Sequence, residues 1–278
     1  MISDQEARIK MKSKIRQFLF LLFFFSSPVV LEAETYNVDV YPISYILEKA
    51  KSYDIVFLGA RHKKQAVLRI LSDLIPHLHK AGVTHLGLEI SSDQQSNIDA
   101  YLQNGTNSSD IELHHQIDCP EYRKIFELIS ALDKEKRPGI TAIDLPKSMY
   151  AGKTTRDEWM AGTIARSFRL KQNAKMLVVV GNLHILKKIE WEEKVSDNHG
   201  FIRSYLEKLM PGRSMFSIGQ CIDELPDECD FTREFASMRG AIALDCDMGF
   251  TGWKIGIIAP VAAKPSEVCE LLDGLIVH

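Results

Sequence analysis

The chain has 278 residues, 45% of them hydrophobic and 26% charged, with a formal net charge of −3. That length and composition allow a sizeable buried core and exclude collagen, coiled-coil and disordered classes. No dense Lys/Arg patch interleaves with aromatic residues, so the electrostatic footprint of a nucleic-acid binder is missing and no such partner is expected.

The first readable element is a leader. Lys10, Lys12, Lys14 and Arg16 precede an apolar run, Phe18 to Phe25, and then Ser26, Ser27, Pro28 and a small residue at Ala33. This is the pattern of a cleaved secretory signal over residues 1–33, with Met11 as an alternative start. A membrane anchor would need roughly 20 apolar residues, and this run is shorter and broken. Membrane contact is therefore expected only through the leader, and the location is read as secreted or periplasmic. Removing residues 1–33 leaves 29 Lys/Arg against 34 Asp/Glu, a charge of −5. Cys119, Cys221, Cys229, Cys246 and Cys269 all follow the leader, where an oxidising compartment permits pairing, for instance Cys221 with Cys229. There is no C-x-x-C.

Residues 34–278 read as one α/β domain. "DIVFLG" (54–59) is a buried strand. A helix follows, with Val67, Ile70, Leu71, Leu74 and Leu78 on one stripe, a kink at Pro76 and a stop at Gly82. "HLGLEI" (85–90) is a second strand, and a polar helix runs through Ile98 and Leu102. A third helix buries Tyr122, Ile125, Phe126, Ile129 and Leu132 and stops at Pro138. "GITAIDLP" (139–146) is a third strand. Thr155 and Glu158 have capping-box spacing at the start of a helix that buries Met160, Ile164 and Phe168. "KMLVVVG" is a fourth strand. Beyond residue 200 the pattern loosens, with strands expected at "SMFSIG", "WKIGIIAP" and "DGLIVH", the last closing the sheet. Strands alternating with helices predict a mostly parallel central sheet with helices on both faces.

In such sheets ligands bind outside the carboxyl ends of the strands. There the chain places His62, Glu89, Asp144 and His184. Two apolar runs end in the same Gly-x-x-His, "GARH" (59–62) and "GNLH" (181–184). A third copy, "GVTH" (82–85), puts His85 before its strand and so at the opposite edge. Two imidazoles and a carboxylate in one crevice could hold a divalent metal on His62, Glu89 and His184 and activate water. The same set could act without metal, Glu89 serving as base and the histidines stabilising an oxyanion. Arg156 and Asp157 fall in a first helical turn, where Asp157 suits the helix dipole. Arg156 could pair with Glu89 or Asp144, or clamp a substrate carboxylate, with Asp144 and Arg61 as further substrate contacts.

"LGARH", "LGLEI", "AIDLP", "TTRDEWMAGTI", "VVVGNLH" and "DGLIVH", in that order, resemble the superfamily of erythromycin esterases, ChaN haem-binding proteins, TraB/PrgY proteins and Tiki metalloproteases. The resemblance spans residues 53–278. It implies an α/β fold with a large central sheet and a site at His62, Glu89 and His184, joined by the helix carrying Arg156, Asp157, Met160 and Ala161. Esterase-like and ChaN-like members carry Glu directly after the first Gly, where this chain has Ala60; a Tiki-like metal site does not depend on that Glu. The resemblance implies a metal-dependent hydrolase acting on a small-molecule or peptide ester or amide. Its alternative is a haem-binding uptake protein, possible as a homodimer, with Tyr101, Tyr122 and Tyr150 as candidate haem ligands.

Overall fold

The structure is a computed structural model that describes residues 38–39, 41–171, 173–188, 200–221, 241–246, 254–255 and 266–278. The expected leader and Cys229 lie outside these residues. Strand β1 (Val38–Asp39) and helix α1 (Pro42–Ser52) precede β2 (Ile55–Ala60), and α2 (Gln65–Leu74) leads to β3 (His85–Ser91). Helices α3 (Gln95–Asn104) and α4 (Pro120–Ala131) connect to β4 (Gly139–Asp144), and α5 (Arg156–Leu170) to β5 (Met176–Gly181). Next come α6 (Ile202–Leu209), β6 (Met215–Cys221), β7 (Ile242–Asp245), β8 (Lys254–Ile255), β9 (Ser266–Glu267), α7 (Val268–Leu271) and β10 (Gly274–Val277).

Among the described residues eight strands form one sheet in the order β1-β7-β10-β6-β2-β5-β3-β4. From β10 to β4 every neighbouring pair is parallel, while β7 runs antiparallel to both β10 and β1. The mostly parallel sheet expected from the sequence is thus present, with an antiparallel strand toward one side.

Alternation along the strands sorts the core into two layers. Val56 and Leu58 of β2 and Leu177 and Val179 of β5 pack with α1 to α4 on one face. Ile55 and Phe57, with Met176, Val178 and Val180, pack with α5 to α7 on the other. Strands buried on both faces read as continuous apolar runs, which is why these were legible. The stripe of α2 is buried as expected, but Pro76 does not kink an α-helix. It opens a 3-10 stretch over Ile75–Ala81, because its ring and missing N–H block continued α bonding. Gly82 ends that stretch with φ 75°, a left-handed conformation open to glycine.

"DGLIVH" does not add at an edge: β10 lies between β6 and β7. "WKIGIIAP" contributes the described β8, which pairs with β9 outside the central sheet. Cys246, just after β7, is bonded to Cys269 in α7, and Cys221 is also disulfide-bonded, while Cys119 is free. Among the described residues no helix is long and apolar enough to cross a membrane.

Candidate active site

Four neighbouring strands, β2, β5, β3 and β4, end on the same edge of the sheet, and each delivers one polar side chain there. His62 stands two residues past β2. The next residue, Lys63, has φ 60°, the only left-handed non-glycine among the described residues, and this turn carries His62 off the strand end. Arg61 O closes the same turn by accepting from Lys64 N at 3.3 Å. Glu89 lies near the end of β3, where the register against β4 slips: Leu88 pairs with Ala142 but Ser91 with Asp144. Such a bulge re-aims a side chain out of the regular alternation. Asp144 is the last residue of β4, and His184 lies in a 3-10 turn, Asn182–Ile185, directly after β5.

Helix α5 completes the site from above. Thr155 Oγ1 accepts from Glu158 N at 3.2 Å, the first half of the expected capping box, and fixes the turn that bears Arg156 and Asp157. Arg156 bridges the two buried carboxylates. Its Nε and Nη2 donate to Asp144 Oδ1 and Oδ2 at 2.9 and 2.7 Å, and Nη2 also donates to Glu89 Oε1 at 2.6 Å. Glu89 is 6% and Asp144 5% exposed, so each needs such a counter-charge. Glu89 Oε2 accepts from Gly181 N at 2.8 Å.

His184 sits between two acids. Nδ1 faces Asp157 Oδ1 at 2.9 Å and Nε2 lies 3.8 Å from Glu89 Oε1. Burial disfavours its charged form, but the hydrogen bond and charge of Asp157, and then the charge of Glu89, raise its pKa above the ordinary histidine value. Burial likewise opposes ionisation of Glu89. The charges of His184, Arg156 and His62 and the Gly181 N–H outweigh it and hold the carboxyl below its usual range.

Convergence of the two Gly-x-x-His motifs can be read at Gly181. A methyl group on this glycine would lie 3.5 Å from His184 Cδ2, 3.7 Å from Glu89 Oε2 and 3.8 Å from His62 Nε2. His62, Glu89 and His184 therefore surround one small space, kept open because the residue beneath it has no side chain. Ala60, in place of the esterase-like Glu, pairs in register with this Gly181.

The metal expected on His62, Glu89 and His184 does not fit this arrangement. Both Glu89 oxygens are engaged, by Arg156 and Gly181, and a guanidinium already supplies the positive charge that a divalent ion would bring. Among the described residues no group of three His, Cys, Asp or Glu is arranged to hold a metal. The haem candidates are also separated: the Tyr101 hydroxyl lies 3.4 Å from Ser130 Oγ, Tyr122 is buried, and Tyr150 is 49% exposed. Arg61 directly follows the last residue of β2 and precedes His62. His85 stands at the opposite edge as expected, its Nδ1 2.9 Å from Thr84 Oγ1.

Three features escape the sequence. Asp157 reads there as a partner of the helix dipole and as part of the helix that the resemblance joins to the site, but its bond to His184 Nδ1 is not legible. His114 comes from a loop held down by buried Ile111, Leu113 and Ile117, into electrostatic reach of Arg156 and Asp144. Burial first, then His115 and Arg156, lower its pKa. Finally, Asn182 braces the strand ends, donating to Gln220 O at 2.7 Å and accepting from Gln220 N at 3.1 Å.

An α/β protein with a two-histidine, guanidinium-bridged crevice at its strand ends is the class that this geometry defines. Solved structures share the fold. An erythromycin esterase, EreC, in its open conformation matches with a TM-score of 0.62 and 11% identity over 84% of this chain and 92% of its own. A succinoglycan biosynthesis protein matches at 0.61 and 12% identity over 83% and 89%. A protein from Bacillus cereus matches at 0.53 and 14% identity over 85% and 97%. The resemblance read from the motifs thus holds at the level of the fold. No family model and no curated protein matches the sequence.

Proposed function

We propose that the chain is a hydrolase that cleaves an ester or amide by acid–base catalysis between two histidines. The observation that carries this reading is the space above Gly181, bordered by His62, Glu89 and His184. Its likeness in fold to an erythromycin esterase supports the same reaction class.

The roles follow from the surroundings of each ring. His62 is exposed at the mouth, where its Nε2 can take a proton from water as the water oxygen attacks the substrate carbonyl carbon. His184 is held by Asp157 on Nδ1, and its raised pKa favours the protonated ring, so Nε2 supplies the proton that the departing oxygen or nitrogen needs. Glu89, kept ionised, is a poor base; it orients Arg156 and faces the His184 ring instead. Arg156 spends Nε and Nη2 on the carboxylates, and Nη1 makes no bond among the described residues. That nitrogen is available to a substrate oxygen, with Asp144 fixing the guanidinium plane. The Cys246–Cys269 bond and the leader-like residues 10–33 support a secreted or periplasmic location.

The test is hydrolysis of a panel of aryl esters, alkyl esters, lactones and amides by the purified chain, with and without a chelator. The expected result is turnover that survives chelation and falls by at least about 100-fold in His62→Ala and in His184→Ala. Absence of turnover across the panel overturns the reading. Loss under chelation that a divalent ion restores would return the site to metal chemistry.

A further inference from the structure

Strands β2 and β6 pair in parallel register from Ile55–Met215 to Leu58–Ile218. Their ladder stops there, although β2 runs on to Ala60 and β6 to Cys221. Beyond Leu58 side chains join the two strand ends instead. Asn182, first residue of the turn after β5, donates to Gln220 O at 2.7 Å and accepts from Gln220 N at 3.1 Å, as a neighbouring strand would. Gly59 makes room for it, since any side chain there would overlap Asn182 Oδ1. Gln220 is 3% exposed, and its Nε2 donates to Gly59 O, a buried carbonyl that needs a donor.

The two bonds of this amide fix each other. A carbonyl only accepts, so the Gln220 nitrogen faces Gly59 and its oxygen faces His278. His278 Nε2 stands 2.9 Å from Oε1 and must therefore carry a proton. Burial lowers the His278 pKa to about 4, so at neutral pH the ring is uncharged with its proton on that nitrogen. His278 N donates to Cys221 O at 3.0 Å, which ties the ring to the end of β6. Gln220 thus holds both Gly-x-x-His turns. Its side chain binds Gly59, which opens "GARH", and its backbone binds Asn182 of "GNLH".

We propose that Gln220 is a positioning residue: by holding Gly59 and Asn182 at once it sets the separation of the His62 and His184 rings, with His278 locking its amide in one orientation. The catalytic consequence rests on the hydrolase reading above. Proton transfer needs both rings within hydrogen-bond reach of one reacting centre, and a misplacement of about 1 Å can cost about 100-fold. Gln220 acts through the rings rather than on the substrate, so its loss falls on kcat and leaves KM nearly unchanged.

The experiment uses Gln220→Met, which keeps the length of the side chain and the backbone bonds to Asn182 but removes the amide. Ile129→Val, in the core near the end of α4 that leads to the start of β4, is the control for general loosening. Folding of each is checked by circular dichroism. In Gln220→Met kcat should fall at least about tenfold with KM within about threefold, while Ile129→Val stays within about twofold of native in both. In the NMR spectrum the ring signals of His62 and His184 should shift in Gln220→Met, and that of His85 at the opposite edge should not. A native kcat in Gln220→Met, or an equal loss in Ile129→Val, overturns the proposal and leaves the hydrolase reading standing. If Gln220→Met does not fold, His278→Leu takes its place, because it frees the amide while Gln220 stays in β6. A fall in kcat of at least about threefold then supports the clamp, and a native kcat overturns it. If the native protein turns over no substrate, the hydrolase reading has failed and the ring signals decide alone. Shifts at both His62 and His184 support the clamp; an unmoved signal at either overturns it.

Discussion

Replacing Arg156 by Met keeps most of the apolar stem and removes the guanidinium from between Glu89 and Asp144. Three charge-assisted hydrogen bonds disappear, and two carboxylates that are 6% and 5% exposed lose their counter-charge. Hydrogen bonds to charged groups contribute about 1.5–3 kcal/mol each, a gross loss well above 4 kcal/mol. The Arg156 side chain is itself 38% exposed, so water screens it and re-enters when it goes. Discounted for that, the expected cost is about 3 kcal/mol near pH 7.5.

The sign with pH follows from Glu89. In the native protein its pKa is depressed, so its ionisation adds stability above the ordinary carboxylate range, and this is lost as pH falls through the lowered value. Without Arg156, burial dominates and the pKa rises. The buried charge then costs stability near pH 7.5 and the cost is relieved as Glu89 takes up a proton. Urea unfolding should therefore show a gap between Arg156→Met and the native protein that narrows by about half between about pH 7.5 and about pH 5, with m unchanged. A gap below about 0.5 kcal/mol near pH 7.5, or one of the same size at both pH values, would refute the reasoning.

Gly181→Ala should leave the urea midpoint within about 1 kcal/mol, because its methyl group meets neighbours at ordinary contact distances of 3.5–3.8 Å, but should cut turnover at least tenfold by filling the space between the rings. Asp157→Asn removes the charge that raises the His184 pKa. That raised pKa gives stability below the unfolded histidine value and loses it as pH rises through the folded one, so the variant should be about 1 kcal/mol less stable near pH 6 and nearly native near pH 9 by urea unfolding. Lys63→Val should cost about 1–2 kcal/mol in the same assay, because a β-branched residue resists φ 60°, whereas Lys63→Gly should match the native protein or exceed it. In Gly59→Ala the new methyl would lie 2.0 Å from Asn182 Oδ1; displacing Asn182 breaks both bonds to Gln220, and thermal unfolding should reveal a loss of about 3 kcal/mol.

What the sequence could carry depended on length and burial. Strands β2 to β6 and β10 are apolar runs bounded by turn residues, and each is found where it was expected. Helix α6 is eight residues long with Ile202 and Leu206 as its buried residues, too brief for a 3.6 period to emerge, and β7 has four residues. The insertion of β10 between β6 and β7 is a matter of topology that apolar runs do not encode. At the site, the strand-end rule places His62, Glu89, Asp144 and His184 on one edge, and the sequence allows Arg156 to pair with either acid. It does not say that one guanidinium satisfies both carboxylates at once, and two imidazoles beside a carboxylate leave a divalent metal open. His114 enters through space, from a loop, with no spacing to announce it, and Asp157, next to Arg156 in the sequence, gives no sign there of its bond to His184.

His62, Glu89, Asp144 and His184 come from four neighbouring strands, yet the first and last are more than a hundred positions apart in sequence. Each intervening crossover must dock before the crevice exists. Turnover should therefore be among the last properties to return when the denatured chain refolds, trailing the circular-dichroism signal of its helices. Bond-making competence would then act as a clock that starts only once the whole sheet has zipped together.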